Sequence, residues 1–115
     1  MRADPLPRTI EWADGFVRLV DQRLLPGELV MLECRSVEEL CEAIRTLAVR
    51  GAPALGAAGA MGIALAAATG EPLEGAAERL RATRPTAVNL AWGVDRALAA
   101  ADPAAEAVLI AEVFL

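Results

Sequence analysis

A run of twenty residues without a charged side chain, Gly51 to Gly70, is the feature that most constrains how this chain can fold. Arg50 stands directly before it, Pro53 lies near its start, and five of its residues are glycine. The run is long enough to span a membrane, but alanine and glycine contribute little free energy of insertion. Its large apolar side chains are few: Leu55, Met61, Ile63 and Leu65. The composition therefore predicts a helix packed inside a protein, and no membrane partner.

Small residues inside the run indicate how such a helix would pack. Gly56 and Ala60, and again Gly62 and Ala66, are four residues apart and so share a helix face. A face without bulky side chains lets a neighbouring helix approach closely. We therefore expect a buried and tightly packed helix over the second half of the run, residues 60–68.

The beginning of the run needs a different explanation, because packing gives no reason for the sequence Arg50-Gly51-Ala52-Pro53. Pro53 fits the first turn of a helix, and Gly51 lets a ligand come close to the backbone. The first N–H groups of a helix have no internal acceptor and lie at its positive end. The arginine guanidinium can bind two phosphate oxygens at once. Together these features predict a site for a phosphate monoester, although the segment is neither a Walker loop nor a dinucleotide fingerprint.

The first third of the chain predicts short strands, over about residues 8–33. Asp14-Gly15 is a strong signal for a two-residue hairpin turn. Pro26-Gly27 predicts a second turn, and the apolar run Leu29 to Leu32 predicts a third strand. The simplest arrangement is a three-stranded antiparallel meander.

From residue 36 onward the pattern changes to that of helices, over about residues 36–115. Ser36 and Glu39 form the capping pattern S-x-x-E at the first helix start. Pro72, the segment 84–86 and Asp102-Pro103 mark three further starts. The apolar stripe of the first helix is predicted to contain Val37, Leu40, Cys41, Ile44, Leu47 and Ala48. With the charge-free run, this predicts an α+β fold, mainly α: one domain, residues 1–115, with a meander followed by a bundle of about five helices.

Charge and composition exclude several classes of function. A net charge of −5 argues against nucleic-acid binding, which needs a basic surface. The chain has no histidine and no lysine, so a histidine base, a lysine Schiff base and a histidine-containing metal site are excluded. The acidic residues at the first helix are interpreted as a solvated face rather than a metal cluster: Glu38, Glu39 and Glu42. We therefore predict neither a metal nor another cofactor.

The two cysteines, Cys34 and Cys41, are too few for a disulfide framework and fit a reducing compartment. Cys41 lies on the predicted apolar stripe and is expected to be buried rather than reactive. The first fifteen residues contain no apolar segment resembling that of a signal peptide. The sequence therefore predicts a cytoplasmic location.

Other residues are interpreted as structural. Trp12 and Trp92 are expected to pack, because two aromatic residues without a basic surface make no nucleic-acid site. Asn89 could reach a substrate hydroxyl, but a structural role is favoured. The last predicted helix has no glycine cap and ends on the apolar residues 113–115. We therefore expect a domain truncated from a longer chain, with part of its surface covered by another domain or subunit.

Four blocks of the sequence, in order, carry a resemblance to a known family: TIEW at 9–12, DQRLLP at 21–26, VRGAPALG at 49–56 and RPTAVNL at 84–90. They resemble the N-terminal part of the family that contains methylthioribose-1-phosphate isomerase, translation initiation factor 2B subunits and ribose-1,5-bisphosphate isomerase. The resemblance implies a small N-terminal domain before a larger Rossmann-like domain, which this chain lacks, in a homodimer. It favours an aldose–ketose isomerase that converts methylthioribose 1-phosphate to methylthioribulose 1-phosphate in methionine salvage.

The resemblance also implies roles for individual residues. Arg50, Gly51 and Ala52 would bind the substrate phosphate, and Arg84 would be a second substrate contact. The family's catalytic cysteine and aspartate lie in the second domain, so no catalytic residue is expected in this chain, and the chain alone is expected to be inactive. Two alternatives stay open: a ribose-1,5-bisphosphate isomerase, and a non-catalytic regulatory subunit of the initiation factor 2B type. A convergent anion site would favour an enzyme over a subunit that only binds other proteins.

Overall fold

A computed structural model describes residues 9–115 of the chain. It begins with an antiparallel sheet of strand order β1-β2-β3. The strands are β1 (Ile10–Trp12), β2 (Val17–Val20) and β3 (Met31–Cys34). The predicted hairpin turn is confirmed: Asp14 and Gly15 have φ values of 59° and 105°, and the Ala13 N–H donates to the Phe16 carbonyl at 2.7 Å. Two positive φ angles are what a two-residue hairpin turn of this hand requires.

The third strand starts two residues later than the sequence pattern indicated. A short 3₁₀ helix, Gln22–Leu24, occupies the connection between β2 and β3. Asp21 begins this turn, because its side chain accepts a hydrogen bond from the Arg23 N–H. The turn lengthens the connection, so β3 begins to pair with β2 only at Met31.

Five helices follow the sheet, which confirms the predicted class of a meander with a helical bundle. They are α1 (Val37–Arg45), α2 (Ala52–Thr69), α3 (Leu73–Thr83), α4 (Val88–Ala99) and α5 (Pro103–Phe114). Two predicted N-caps form: Ser36 Oγ accepts from the Glu39 N–H at 3.1 Å, and Asp102 Oδ1 accepts from the Ala105 N–H at 3.2 Å. The fourth helix begins at Val88, so the segment 84–87 stays outside it as a turn.

The predicted burial of Leu47 is wrong. The helix α1 ends at Arg45, and Leu47 has a φ of 70° and is 44% exposed. The change of backbone direction at Leu47 buries the next two residues, Ala48 and Val49, in the core instead. Leu47 therefore lies beside the beginning of α2 rather than under α1.

The helix α2 forms the centre of the domain and packs against each of the other four helices. All its residues from Ala54 to Ala66 are buried. By length and composition α2 could cross a membrane, but 72% of its apolar window is buried against the rest of the protein. Such burial is typical of a core helix, as the low content of large side chains predicted.

Glycines set the distance between α2 and α4. A Cβ atom at Gly93 would lie 1.9 Å from the Gly56 carbonyl oxygen, and one at Gly59 would lie 2.5 Å from the Leu90 carbonyl oxygen. Gly62 faces a side chain instead, because a Cβ atom there would lie 2.6 Å from a methyl group of Leu80 on α3. The predicted close approach is therefore present, but its tightest points involve Gly59 and Gly93, which the spacing of four residues did not single out.

An apolar surface is exposed where α4 and α5 lie together. It contains Val88, Trp92, Leu109, Val113 and Phe114. The Trp92 and Phe114 rings meet edge to face, with centroids 5.5 Å apart. Trp12, in contrast, packs against the core of the domain. The expected packing role therefore fits Trp12 more fully than Trp92.

We expect Gly93→Ala to lower the free energy of unfolding by about 3 kcal/mol, because the new methyl group meets backbone atoms that cannot move aside cheaply. Gly75→Ala is the matched control, since Gly75 lies on α3 and a Cβ atom there would meet nothing within 4 Å. It should stabilise the chain by about 0.5–1 kcal/mol, the usual gain for alanine over glycine in a helix. Urea unfolding of the two variants measures both values. Equal effects of the two substitutions would contradict the close backbone contact.

The two thiols are expected to be inert in the folded chain. Both are buried and unpaired with each other. Burial raises the pKa of the Cys34 thiol to about 11 and also raises the pKa of Cys41. Since the thiolate is the reactive form, Cys34 should react with an aromatic disulfide reagent about a hundredfold more slowly at pH 8 than in urea. Fast labelling without unfolding would contradict this placement.

Candidate anion site at the beginning of α2

One cavity of about 520 Å³ lies between the beginning of α2 and the segment that leads into α4. All four residues predicted to bind phosphate line it: Arg50, Gly51, Ala52 and Arg84. The other lining residues are Leu47, Leu55, Thr86, Ala87, Val88 and Asn89. The fold therefore brings together two arginines that are 34 positions apart in the sequence.

The beginning of α2 presents backbone N–H groups without acceptors. The first helical hydrogen bond runs from the Leu55 N–H to the Gly51 carbonyl at 2.9 Å, and no side chain caps the helix. Within residues 9–115, no acceptor is bonded to the N–H groups of Gly51, Ala52 and Ala54. Pro53, the second helical residue, has no N–H to leave unsatisfied. Free donors at the positive end of a helix suit an anion.

Gly51 is required here by its backbone conformation. Its φ of 95° and ψ of 138° belong to a region that side-chain-bearing residues rarely adopt, and a Cβ atom there would meet nothing within 4 Å. The constraint is therefore conformational rather than one of space. It turns the chain from Arg50 sharply into the axis of α2.

Arg50 is held by a neutral group. One of its guanidinium nitrogens, Nη2, donates to the backbone carbonyl of Gln22 at 3.0 Å. The rest of its side chain is exposed at the edge of the cavity. A carbonyl orients a guanidinium without cancelling its charge, so the positive charge of Arg50 stays available to a ligand.

The arginines of the domain divide into two groups. Seven of the nine between residues 9 and 115 form an ion pair with a carboxylate: Arg18, Arg23, Arg35, Arg45, Arg79, Arg81 and Arg96. In the described part of the chain, Arg50 and Arg84 have no carboxylate partner. In a chain with a net charge of −5, two uncompensated arginines at one cavity make a local positive site.

Two further polar residues line the cavity, and the sequence did not predict a binding role for either of them. Thr86 lies in the turn before α4, and Asn89 lies in the first turn of that helix. Both are exposed, and neither side chain makes a hydrogen bond within the described residues. Asn89 thus lies on the surface of α4, which fits the helix-surface role favoured for it, and its side chain makes no hydrogen bond that would fix it there. The only sequence signal for these residues was their position in the block 84–90.

A second, smaller cavity of about 230 Å³ adjoins the first and shares Ala52 and Asn89 with it. Its other lining residues are Pro53, Gly56, Trp92 and Phe114. The two cavities therefore form a continuous surface around the beginning of α2. One part carries the two arginines, and the other carries two aromatic rings and no charged side chain.

The acidic residues of α1 make ordinary contacts. Glu42 pairs with Arg45 at 2.6 Å, and Glu39 accepts a hydrogen bond from the Arg35 N–H at 2.7 Å. Glu38 lies 3.8 Å from Arg79. These contacts agree with the interpretation of α1 as carrying a solvated acidic face.

No family model matches the chain. The chain is 50% identical, over 91 residues, to a methylthioribose-1-phosphate isomerase of Synechococcus sp. (strain CC9902), covering 79% of this chain and 27% of that protein. It is 49% identical, over 96 residues, to a 5-deoxyribose 1-phosphate isomerase of Moorella thermoacetica, covering 76% of this chain and 27% of that protein.

Solved structures agree with these relatives. The crystal structure of 5-methylthioribose 1-phosphate isomerase from Pyrococcus horikoshii OT3 matches 94% of this chain with a TM-score of 0.84 and 39% identity. The crystal structure of translation initiation factor eIF-2B, subunit delta, from A. fulgidus matches 93% with a TM-score of 0.74 and 48% identity. The chain spans 36% of each of those chains and 27% of the two relatives above. Over the matched residues, sequence and structure thus show that this chain belongs to the family of methylthioribose-1-phosphate isomerases and initiation factor 2B subunits.

Proposed function

We propose that this chain forms the phosphate-binding part of an isomerase that converts methylthioribose 1-phosphate to methylthioribulose 1-phosphate. The observation that carries the proposal is the pair Arg50 and Arg84, the two arginines without carboxylate partners in the described residues, which line the same cavity. The free N–H groups of Gly51 and Ala52 would complete the site. A phosphate dianion offers acceptor oxygens to all of these donors at once.

The proposed role of the domain is to hold the substrate, not to move protons. The ring of the sugar must open with the phosphate in place before hydrogen moves between C1 and C2. The charged side chains lining the cavity are the two arginines, and its lining includes no carboxylate or thiol. The described thiols are buried and have raised pKa values. Proton transfer therefore needs groups beyond these residues, as the resemblance implies for a cysteine and an aspartate of a second domain.

The aromatic rings of the adjoining cavity support a narrower substrate class. Its lining includes Trp92 and Phe114 and no cationic side chain. A sugar 1-phosphate with an apolar group at C5 would place that group against these rings, as the names of relatives acting on methylthioribose 1-phosphate and 5-deoxyribose 1-phosphate suggest. A 1,5-bisphosphate would need a second anion site, which this cavity does not offer. We therefore favour the first two substrates over ribose 1,5-bisphosphate.

The alternative is a regulatory subunit of the initiation factor 2B type. The match to the A. fulgidus subunit supports it, and the apolar surface of α4 and α5 could bind another protein. Protein binding alone, however, gives no reason to leave two arginines without carboxylate partners at one cavity. The homodimer implied by the family resemblance and the cytoplasmic location predicted from the sequence are part of our proposal for the enzyme.

The anion site is tested with inorganic phosphate and the chain itself. We expect phosphate to shift the backbone amide NMR signals of Gly51 and Ala52, because both residues line the cavity and their N–H groups have no acceptor among the described residues. Arg50→Gln and Arg84→Gln should each weaken phosphate binding by about tenfold, the usual effect of losing a charge-assisted contact. Arg45→Gln is the matched control, since it removes one positive charge from an exposed ion pair outside the cavity. Equal weakening in all three variants would show only a general charge effect and would contradict the site.

The isomerase assignment is tested by grafting these 115 residues in place of the matching 36% of the Pyrococcus horikoshii enzyme. The graft should convert methylthioribose 1-phosphate to its ketose, and Arg50→Gln in the graft should lower kcat/KM by about tenfold or more. The same Arg45→Gln variant should leave kcat/KM unchanged. A folded graft without activity, or normal kinetics after Arg50→Gln, would contradict the assignment.

A further inference from the structure

Asp21 is the buried charged residue of the described chain, 3% exposed, and it lies outside the cavity. Its carboxylate accepts three hydrogen bonds from Arg23: Oδ1 from the backbone N–H at 3.0 Å and from Nε at 2.8 Å, and Oδ2 from Nη2 at 2.7 Å. The side-chain hydrogen bonds of Arg23 hold the pKa of the Asp21 carboxyl below its ordinary value, although burial acts in the opposite direction. The pair is therefore charged at neutral pH.

This ion pair fixes the 3₁₀ turn that contains Gln22. Asp21 caps the turn, and the Gln22 N–H donates to the Ala48 carbonyl at 3.0 Å. The Gln22 carbonyl in turn accepts from Arg50 Nη2 at 3.0 Å. Gln22 thus makes two contacts with the segment that precedes α2. Its N–H binds the Ala48 carbonyl, two positions before Arg50, and its carbonyl binds the Arg50 guanidinium.

A third contact ties the same turn to the same segment. Arg23 Nη1 lies 3.3 Å from Thr46 Oγ1, at the end of α1. The turn therefore contacts Thr46, Ala48 and Arg50, at alternate positions of the segment that leads into α2. Residues 21–23 belong to the block DQRLLP, for which the proposed function gives no use.

We propose that Asp21 and Arg23 are positioning residues of the anion site, which hold the Gln22 carbonyl where it orients the Arg50 guanidinium. This inference rests on the proposed phosphate-binding role of Arg50. Neither Asp21 nor Arg23 lines the cavity, so both act through Gln22.

The chemistry of the anchor explains why the arrangement is indirect. A carboxylate paired with Arg50 would orient it but would also compete with phosphate for its donors. A neutral carbonyl uses one N–H of the guanidinium and leaves the charge and the other donors free. Holding an exposed arginine in one geometry before binding also reduces the side-chain entropy lost when the anion arrives. The negative charge that stabilises the turn is meanwhile neutralised by Arg23.

The direction in which loss of the Asp21 charge changes phosphate binding distinguishes a positioning role from a purely electrostatic one. Removing a carboxylate near an anion site should strengthen phosphate binding if long-range attraction were the only factor. Loss of the anchor should weaken it instead. Asp21→Asn keeps an oxygen that can accept the Arg23 backbone N–H but removes the charge of the ion pair. Glu33→Gln is the matched control, because Glu33 pairs with Arg35 at the same two-residue spacing on the surface, at 2.9 Å.

The experiment measures inorganic phosphate binding and the mobility of the Arg50 Nε–H group by NMR relaxation, in the complete chain. We expect Asp21→Asn to weaken phosphate binding by about fivefold, the size of one lost hydrogen bond, and to increase Arg50 mobility without phosphate. Glu33→Gln should change neither quantity. Circular dichroism checks that each variant is folded. If Asp21→Asn does not fold, Arg23→Lys replaces it, because lysine keeps the charge but cannot donate from two nitrogens to Asp21. It should also weaken phosphate binding and increase Arg50 mobility, and Arg35→Lys is its control.

The outcomes distinguish this inference from the proposed function. If Arg50→Gln weakens phosphate binding but Asp21→Asn leaves it equal or stronger, the positioning role is wrong and the anion site stands. If the wild-type chain binds no phosphate, the proposed function is wrong. In that case the mobility of Arg50 still decides whether the turn orients it, and unchanged mobility in Asp21→Asn overturns the positioning role.

Discussion

The contact between α2 and α4 determines the rest of the structure. The backbones meet where Gly93 faces the Gly56 carbonyl, and no residue with a side chain could occupy position 93 without displacing a helix. Gly56 lies one turn after Ala52, and Gly93 lies one turn after Asn89. The two helices therefore begin side by side, and the segments leading into them enclose the cavity. A wider spacing would separate the arginines that precede the two helices.

An acidic chain can carry an anion site only if its positive charges are kept from its own carboxylates. Most arginines of this domain are neutralised by ion pairs, whereas Arg50 is oriented by a carbonyl and Arg84 is left unpaired among residues 9–115. The buried Asp21 follows the same rule, because Arg23 neutralises it. The distribution of ion-pair partners, rather than the net charge, leaves this surface locally positive, as the proposed anion site requires.

The sequence predicted those features that arise from contacts between near neighbours. The hairpin turn at Asp14-Gly15 is closed by a hydrogen bond between residues three positions apart. The helix caps at Ser36 and Asp102 are formed by hydrogen bonds of the same span. The sequence did not predict the role of Gly93 in packing, because it depends on a contact with the distant Gly56. The exposure of Leu47 and the later start of β3 follow from local backbone turns that the apolar pattern alone does not reveal. The residues of the cavity were predicted only in part. Arg50 was predicted from its position before a helix, and Arg84 from the family resemblance. Thr86 was identified as a lining residue only in the structure.

The composition of the cavity limits what this domain can contribute to an isomerisation. Its lining offers positive charge, free backbone donors and an adjoining cavity with two aromatic rings, but among the described residues it includes no carboxylate or thiol. Such a surface can bind both ends of a sugar phosphate and leave the carbons between them to other groups. Binding energy from non-reacting parts of a substrate can then be used to orient the reacting carbons. In the proposed role, the backbone conformation of Gly51 and the Gln22 carbonyl that accepts from Arg50 would set the positions of the donors before any ligand arrives.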